Sequence, residues 1–303
     1  MALRAGIDIG TNTILLLVAE VNGTELKVLE DHVRVVRLGQ GVDQNRAFHP
    51  DALDRARACF ADYRAILDKY PGVDIRAVAT SGSRDAKNSA EFFREVGERY
   101  RIPVRVISGE EEALLSFRGA LPAGAADPRS IAVLDIGGGS TEVVGLKPGS
   151  DTELFRHSFD MGCVRLQERF LKHDPALGSE IQELRAWIEK ELAAKAPLLK
   201  ELKGKTLIGV AGTATYLTSA ALGLAKFDLE KVHGATLTKK DLAGLVERFT
   251  PMTAAARLGI GGMDKGRADV ILAGAFILEA VLEKAGLESV KASVRGLRYG
   301  AVL

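Results

Sequence analysis

The stretch LDIGGGSTEVV at 134–144 is an apolar strand ending in Asp135, a glycine turn followed by hydroxyls, and a second apolar strand. The same order occurs near the N-terminus. There an apolar run at 5–9 contains Asp8, Gly10 makes the turn, Thr11, Asn12 and Thr13 follow, and a second run occupies 14–21. Two copies of strand, aspartate, glycine turn and returning strand predict two related domains that face a shared cleft.

Outward from these copies, Asn22-Gly23 marks a hairpin between 14–21 and 25–30. Residues 33–37 read as a separate extended piece. Helix period takes over at 50–67, where Leu53, Ala56, Phe60, Tyr63 and Leu67 share one face. Strands at 75–79 and 104–107 alternate with helices at 90–100 and 110–121. Ser108 caps the last helix, and acids crowd its positive end. The Pro-, Gly- and Ala-rich stretch 121–129 has no periodicity and reads as a linker and hinge. Beyond it come strands at 131–135, 142–146, 206–210 and 290–293, and helices at 175–194, 239–249 and 268–285. Cys163 falls in a short strand-like segment. This is an α/β chain, divided into 1–124 and 125–303. Its 303 residues match two domains of about 150 each.

Composition excludes several classes. With 41 Lys and Arg against 40 Asp and Glu, the net charge is +1, so no global basic field recruits nucleic acid or an anionic membrane. Aromatic residues are only 6%, which leaves no stacking platform for single strands. The 2 cysteines, Cys59 and Cys163, make neither a disulfide scaffold nor a metal cluster. A reducing cytoplasm fits. The N-terminus carries no signal-peptide pattern and no run is long enough to span a membrane, so a soluble cytoplasmic protein is expected.

The two turns point to phosphate. Glycine after a buried strand lets backbone amides converge on an anion, and hydroxyls add donors. An aspartate at the strand end suits Mg²⁺ bridging phosphate oxygens. Neither turn is a P-loop, because GxxxxGK[ST] is absent. Neither is a dinucleotide fingerprint, because a strand follows the glycines. A tight turn that needs glycine for backbone reasons is the alternative at both. Two further loops, 80–84 and 209–215, combine hydroxyls with Arg84 and with Gly212 and Thr213. A solvated turn and close strand–helix packing are their alternatives. The triplet Glu110-Glu111-Glu112 opens a helix. Helix electrostatics explains acids there, and so does a carboxylate that orients water for in-line attack.

The sequence resembles the exopolyphosphatase/guanosine pentaphosphate phosphohydrolase family of the actin, sugar-kinase and Hsp70 superfamily. Segments in family order carry the resemblance: GIDIGTNTILLLVAE (6–20), RLGQGV (37–42), ATSGSRDAKN (79–88), SGEEEALLSFRGAL (108–121), LDIGGGSTEVV (134–144), MGCVRL (161–166), GVAGTAT (209–215), HGATLT (233–238), GRADVILAGAFIL (266–278) and SVRGLRYG (293–300). It implies two actin-like, ribonuclease H-like domains with an interdomain cleft. It implies Glu112 as the base that activates water, with Asp135, Glu142 and Asp8 toward Mg²⁺, for which Mn²⁺ can substitute. Substrate phosphates would meet Thr11, Asn12, Thr13, Ser83 and Arg84 in the first domain. In the second they would meet Gly137, Gly138, Gly139, Ser140, Thr141, Gly212, Thr213 and Arg267. Arg165, Arg295 and Arg298 are further basic candidates. A homodimer is also implied. The apolar run 270–282 reads as core or as part of that interface.

The expectation is a Mg²⁺-dependent exopolyphosphatase that releases terminal orthophosphate from inorganic polyphosphate. Hydrolysis of guanosine pentaphosphate, alone or in addition, is the near alternative. The apolar Ile14 and Leu15 offer nothing to that nucleotide's extra phosphates. A non-catalytic sensor of polyphosphate or alarmone is the alternative of another class.

Overall fold

A computed structural model describes residues 1–23, 25–121 and 127–303. The chain divides into two compact units, Met1–Gly124 with Gly296–Leu303, and Ala125–Arg295. The sequence assigns the last eight residues to the second domain. They belong to the first instead, because the helix Leu297–Val302 packs on the first sheet and on the helix Gly109–Ala120. Residues 122–126 of the expected linker lie outside the described residues.

The first unit holds β1 (Ala2–Ile9), β2 (Thr13–Asn22), β3 (Glu25–Val35), β4 (Asp74–Ala79) and β5 (Val104–Val106) in the order β3-β2-β1-β4-β5. The first three run antiparallel; β1, β4 and β5 are parallel. β3 is one continuous strand, although its two halves read separately in the sequence. A bulge in the pairing at Val18/Ala19 keeps both halves on the ladder while breaking the alternation. The helix Pro50–Leu67 starts with proline in its first turn and buries Ala52, Ala56, Phe60, Tyr63 and Leu67.

The second unit holds β6 (Ile131–Ile136), β7 (Thr141–Leu146), β8 (Leu154–Phe159), β9 (Thr206–Val210), β10 (Thr236–Thr238) and β11 (Ser289–Ala292) in the order β10-β11-β9-β6-β7-β8. Followed from β8, the series β8-β7-β6-β9-β11 has the same strand directions as β3-β2-β1-β4-β5. The repeated motif therefore belongs to a repeated sheet topology, with β10 added at one edge. β6 and β7 are buried at every residue, as strands covered on both faces are. The helix Ile271–Ala285 is buried around most of its circumference, so the apolar run at 270–282 is core. Cys163 opens the helix Cys163–Phe170; the short apolar run there was too brief to separate strand from helix.

No described helix is long and apolar enough to cross a membrane. Both cysteines are buried thiols, and burial pushes Cys59 up to about 12.

Candidate active site

In the first unit, the C-terminal ends of β1, β4 and β5 carry the segments 10–13, 80–84 and 108–112. Parallel strand ends are where α/β sheets present ligand-binding loops. The turn after β1 closes through the Gly10 amide, which donates to the Thr13 carbonyl at 2.9 Å. The Thr11 carbonyl accepts from the Gly39 amide (2.8 Å), and the Asn12 carbonyl accepts from Val36 and Arg37 (3.0 and 2.8 Å). Thr11 Oγ1 accepts from the Gly82 amide at 3.1 Å, which ties the first turn to the second segment. That segment is a short helix, Ser81–Asp85, and not a loop. Thr11, Asn12 and Ser83 are buried, Thr13 is half-buried, and so is Asp8, which pairs with Leu15 across the β1–β2 ladder.

The three adjacent glutamates have three environments. Ser108 caps their helix, its Oγ accepting from the Glu111 amide at 3.2 Å. Glu110 is exposed. Glu111 forms a bidentate pair with the exposed Arg105 (2.6 and 2.8 Å), which holds its carboxyl below the usual range. Glu112 is buried, 6% exposed, and its Oε2 lies 2.7 Å from Arg84 Nη1. The same nitrogen donates to the Ile107 carbonyl at 3.0 Å. Glu112 is thus the triplet's one buried carboxylate, in the first turn of a helix and beside a guanidinium.

In the second unit, the turn 137–140 repeats the first: the Gly137 amide donates to the Ser140 carbonyl at 3.0 Å. Its carbonyls are engaged by the next helix. Gly137 O accepts from Cys163 N (2.9 Å), and Gly138 O accepts from Val164 N (2.9 Å) and Arg165 N (3.0 Å). Gly139 O accepts from Arg165 Nε at 2.7 Å. Among the described residues, the Gly138 and Gly139 amides donate to no acceptor. Consecutive amides released this way form an anion-binding nest. Gly162 makes the arrangement possible, since a Cβ there would run into the Gly138 carbonyl and the Gly139 nitrogen. Ser140 is buried, and Thr141 donates to the Met161 carbonyl at 2.5 Å.

Asp135 and Glu142 are partners across the β6–β7 ladder and are 8% and 1% exposed. Ser158, opposite Glu142 on β8, donates to Glu142 Oε1 at 2.6 Å. Sequence reasoning missed Ser158, because β8 carries no strong strand pattern and only the pairing register brings it to Glu142. Two neighbouring buried carboxylates fit a hard, oxygen-seeking cation. Mg²⁺ is commonly held by one or two carboxylates together with substrate phosphates and water. Among the described residues, no group of three or more His, Cys, Asp or Glu can hold a metal ion. The donor set therefore suits a cation shared with substrate, not a closed protein cage.

The remaining candidates divide. The segment 209–215 is no loop: β9 ends at Val210 and a helix begins at Ala211, whose φ of 60° is left-handed. Gly212 lies against the Arg267 guanidinium, which is 5.4 Å from the Tyr216 ring centroid. Arg267 is buried and Thr213 fully so. Arg165 buttresses the glycine turn. Arg298 is bound to Asp31 by two 2.9 Å hydrogen bonds and is not an anion receptor.

Residues 17–303 match the model of the Ppx/GppA phosphatase family. The chain is 35% identical to exopolyphosphatase 2 of Mycobacterium tuberculosis, over 99% of this chain and 97% of that protein. The crystal structure of an exopolyphosphatase from Cytophaga hutchinsonii superposes with a TM-score of 0.89 at 29% identity, covering 98% of this chain and 96% of that one. That of an exopolyphosphatase-like protein gives 0.92 at 34% identity, covering 99% and 96%.

Proposed function

Since the chain belongs to the Ppx/GppA phosphatase family and is a phosphoanhydride hydrolase, we propose that its substrate is inorganic polyphosphate, shortened from the end one orthophosphate at a time. The observation that carries the chemical assignment is the burial of Glu112, alone of the three glutamates, at the first turn of its helix. The substrate class draws on the relatives named exopolyphosphatase.

In the proposed step, a water oxygen attacks the terminal phosphorus. The bond from that phosphorus to the bridging oxygen breaks, and the bridging oxygen leaves with the shortened chain. Glu112 takes the proton from the attacking water and releases it to solvent, or to the leaving chain, between turnovers. The Gly138 and Gly139 amides bind phosphate oxygens. Asp135 and Glu142 would hold Mg²⁺, whose bound charge offsets that of the phosphates.

The test is Mg²⁺-dependent orthophosphate release from short polyphosphate, long polyphosphate, guanosine pentaphosphate and ATP, measured side by side. The reading expects polyphosphate to be the best substrate. A clear preference for guanosine pentaphosphate would replace it with the nucleotide, and release only from ATP would overturn both.

A further inference from the structure

We infer that Arg84 is a bridge: one edge of its guanidinium fixes the Glu112 carboxylate, and the opposite edge receives the terminal phosphoryl group. The inference rests on Glu112 as the base and adds the group that couples base to substrate.

The donors of Arg84 are unevenly used. Nη1 donates to Glu112 Oε2 at 2.7 Å and to the Ile107 carbonyl at 3.0 Å. Among the described residues, Nε and Nη2 have no partner, and the side chain is 25% exposed. An arginine that served only to neutralise Glu112 would spend its fork on both carboxylate oxygens, as Arg298 does on Asp31 and Arg105 on Glu111. Arg84 instead meets Glu112 through one nitrogen and keeps two donors open.

The backbone holds this geometry. Arg84 N donates to the Thr80 carbonyl at 3.1 Å, and Thr80 N donates to the Ile9 carbonyl at 3.1 Å, so the segment that carries Arg84 is pinned to the end of β1. The Ile107 carbonyl anchors the guanidinium next to the start of the Glu112 helix. A phosphate oxygen on the open edge would lie one guanidinium width from the Glu112 carboxylate. The planar fork is essential to this. A lysine ammonium is a point charge and cannot present two fixed edges.

Arg84 is therefore a positioning residue for Glu112 as well as a phosphate ligand, and the two roles separate in a double-mutant cycle of Arg84→Gln, Arg84→Lys and Glu112→Gln. All variants are first checked for wild-type circular dichroism and melting behaviour. Arg84→Lys keeps a cation beside the buried carboxylate and guards against misfolding. In the wild-type background, Arg84→Gln and Arg84→Lys should each lower kcat at least about 10-fold and also raise KM. In the Glu112→Gln background, where no base remains to be positioned, either change should leave the residual kcat within about 3-fold and raise KM alone. Multiplicative losses of kcat in the two backgrounds would overturn the inference, as would full rescue of kcat by lysine. If Glu112→Gln itself kept wild-type kcat, the base assignment would fail before the bridge was reached.

Discussion

Asp135 and Glu142 stand directly opposite each other on neighbouring strands, both buried, and the residue pair at the same register in the first unit is Asp8 and Leu15. The duplicated turn thus carries two carboxylates in one copy and a carboxylate with an apolar partner in the other. On the proposed reading, the carboxylates that would hold Mg²⁺ therefore lie in the second unit. Mg²⁺ titrated into the phosphate-free protein should raise its melting temperature, since a ligand that binds only the folded state stabilises it by mass action. Asp135→Asn and Glu142→Gln should each abolish the shift, while Asp8→Asn should retain most of it. Loss of the shift in Asp8→Asn alone would move the cation to the first unit.

Gly162→Ala should damage the site without touching a chemical group. The added Cβ would run into Gly138 and Gly139 and push their amides out of place. A misplacement of about 1 Å in a positioning element can cost about 100-fold in rate. Steady-state kinetics beside a thermal melt should show a fall in activity much larger than the loss of stability.

Two other glycines give opposite signs. Gly300 packs its backbone on Leu115 of the Glu112 helix, and Gly119 of that helix packs on Gly296. The obstacle is backbone in both cases, so Gly300→Ala should destabilise by about 1–3 kcal/mol. Gly244 is exposed within the helix Lys239–Phe249 and a Cβ there meets nothing, so Gly244→Ala should stabilise by about 0.5–1 kcal/mol. Urea denaturation of the two variants checks both directions.

Glu111→Gln is the counterpart of any change at Glu112. Its pair with Arg105 is on the surface, so removal should cost under about 1 kcal/mol and leave turnover near wild type. The pair lowers the folded-state pKa of Glu111 below its unfolded value of about 4.3. Its stabilisation is therefore complete above that unfolded value and is lost as pH falls through the lower folded one. The melting temperatures of wild type and Glu111→Gln should differ at pH 7 and converge toward acid.

The sequence makes the two strand–turn–strand units legible because glycine, aspartate and apolar runs are all local signals. It does not disclose that 296–303 crosses back to the first unit, since that depends on the packing of Gly300 and Gly119 between helices distant in sequence. Among the site residues, Glu112 and Asp135 are readable in motifs. The choice of Glu112 over Glu110 and Glu111 has a physical basis only in the fold, where helix phase buries one of the three. Arg298 reads in the sequence as a basic candidate or a structural arginine, and only its distant partner Asp31 decides between them; Ser158 reaches Glu142 only through the strand register. Helix phase decided among the three glutamates, and long-range pairing decided Arg298 and Ser158.

In the proposed step, Glu112 activates water for attack on a terminal phosphate. The most direct measurement is orthophosphate release from polyphosphate by wild type and by folded Glu112→Gln at saturating substrate and Mg²⁺. Loss of the general base predicts a fall in turnover of at least about 100-fold with substrate binding largely retained. Turnover near wild type would remove Glu112 from the role of base.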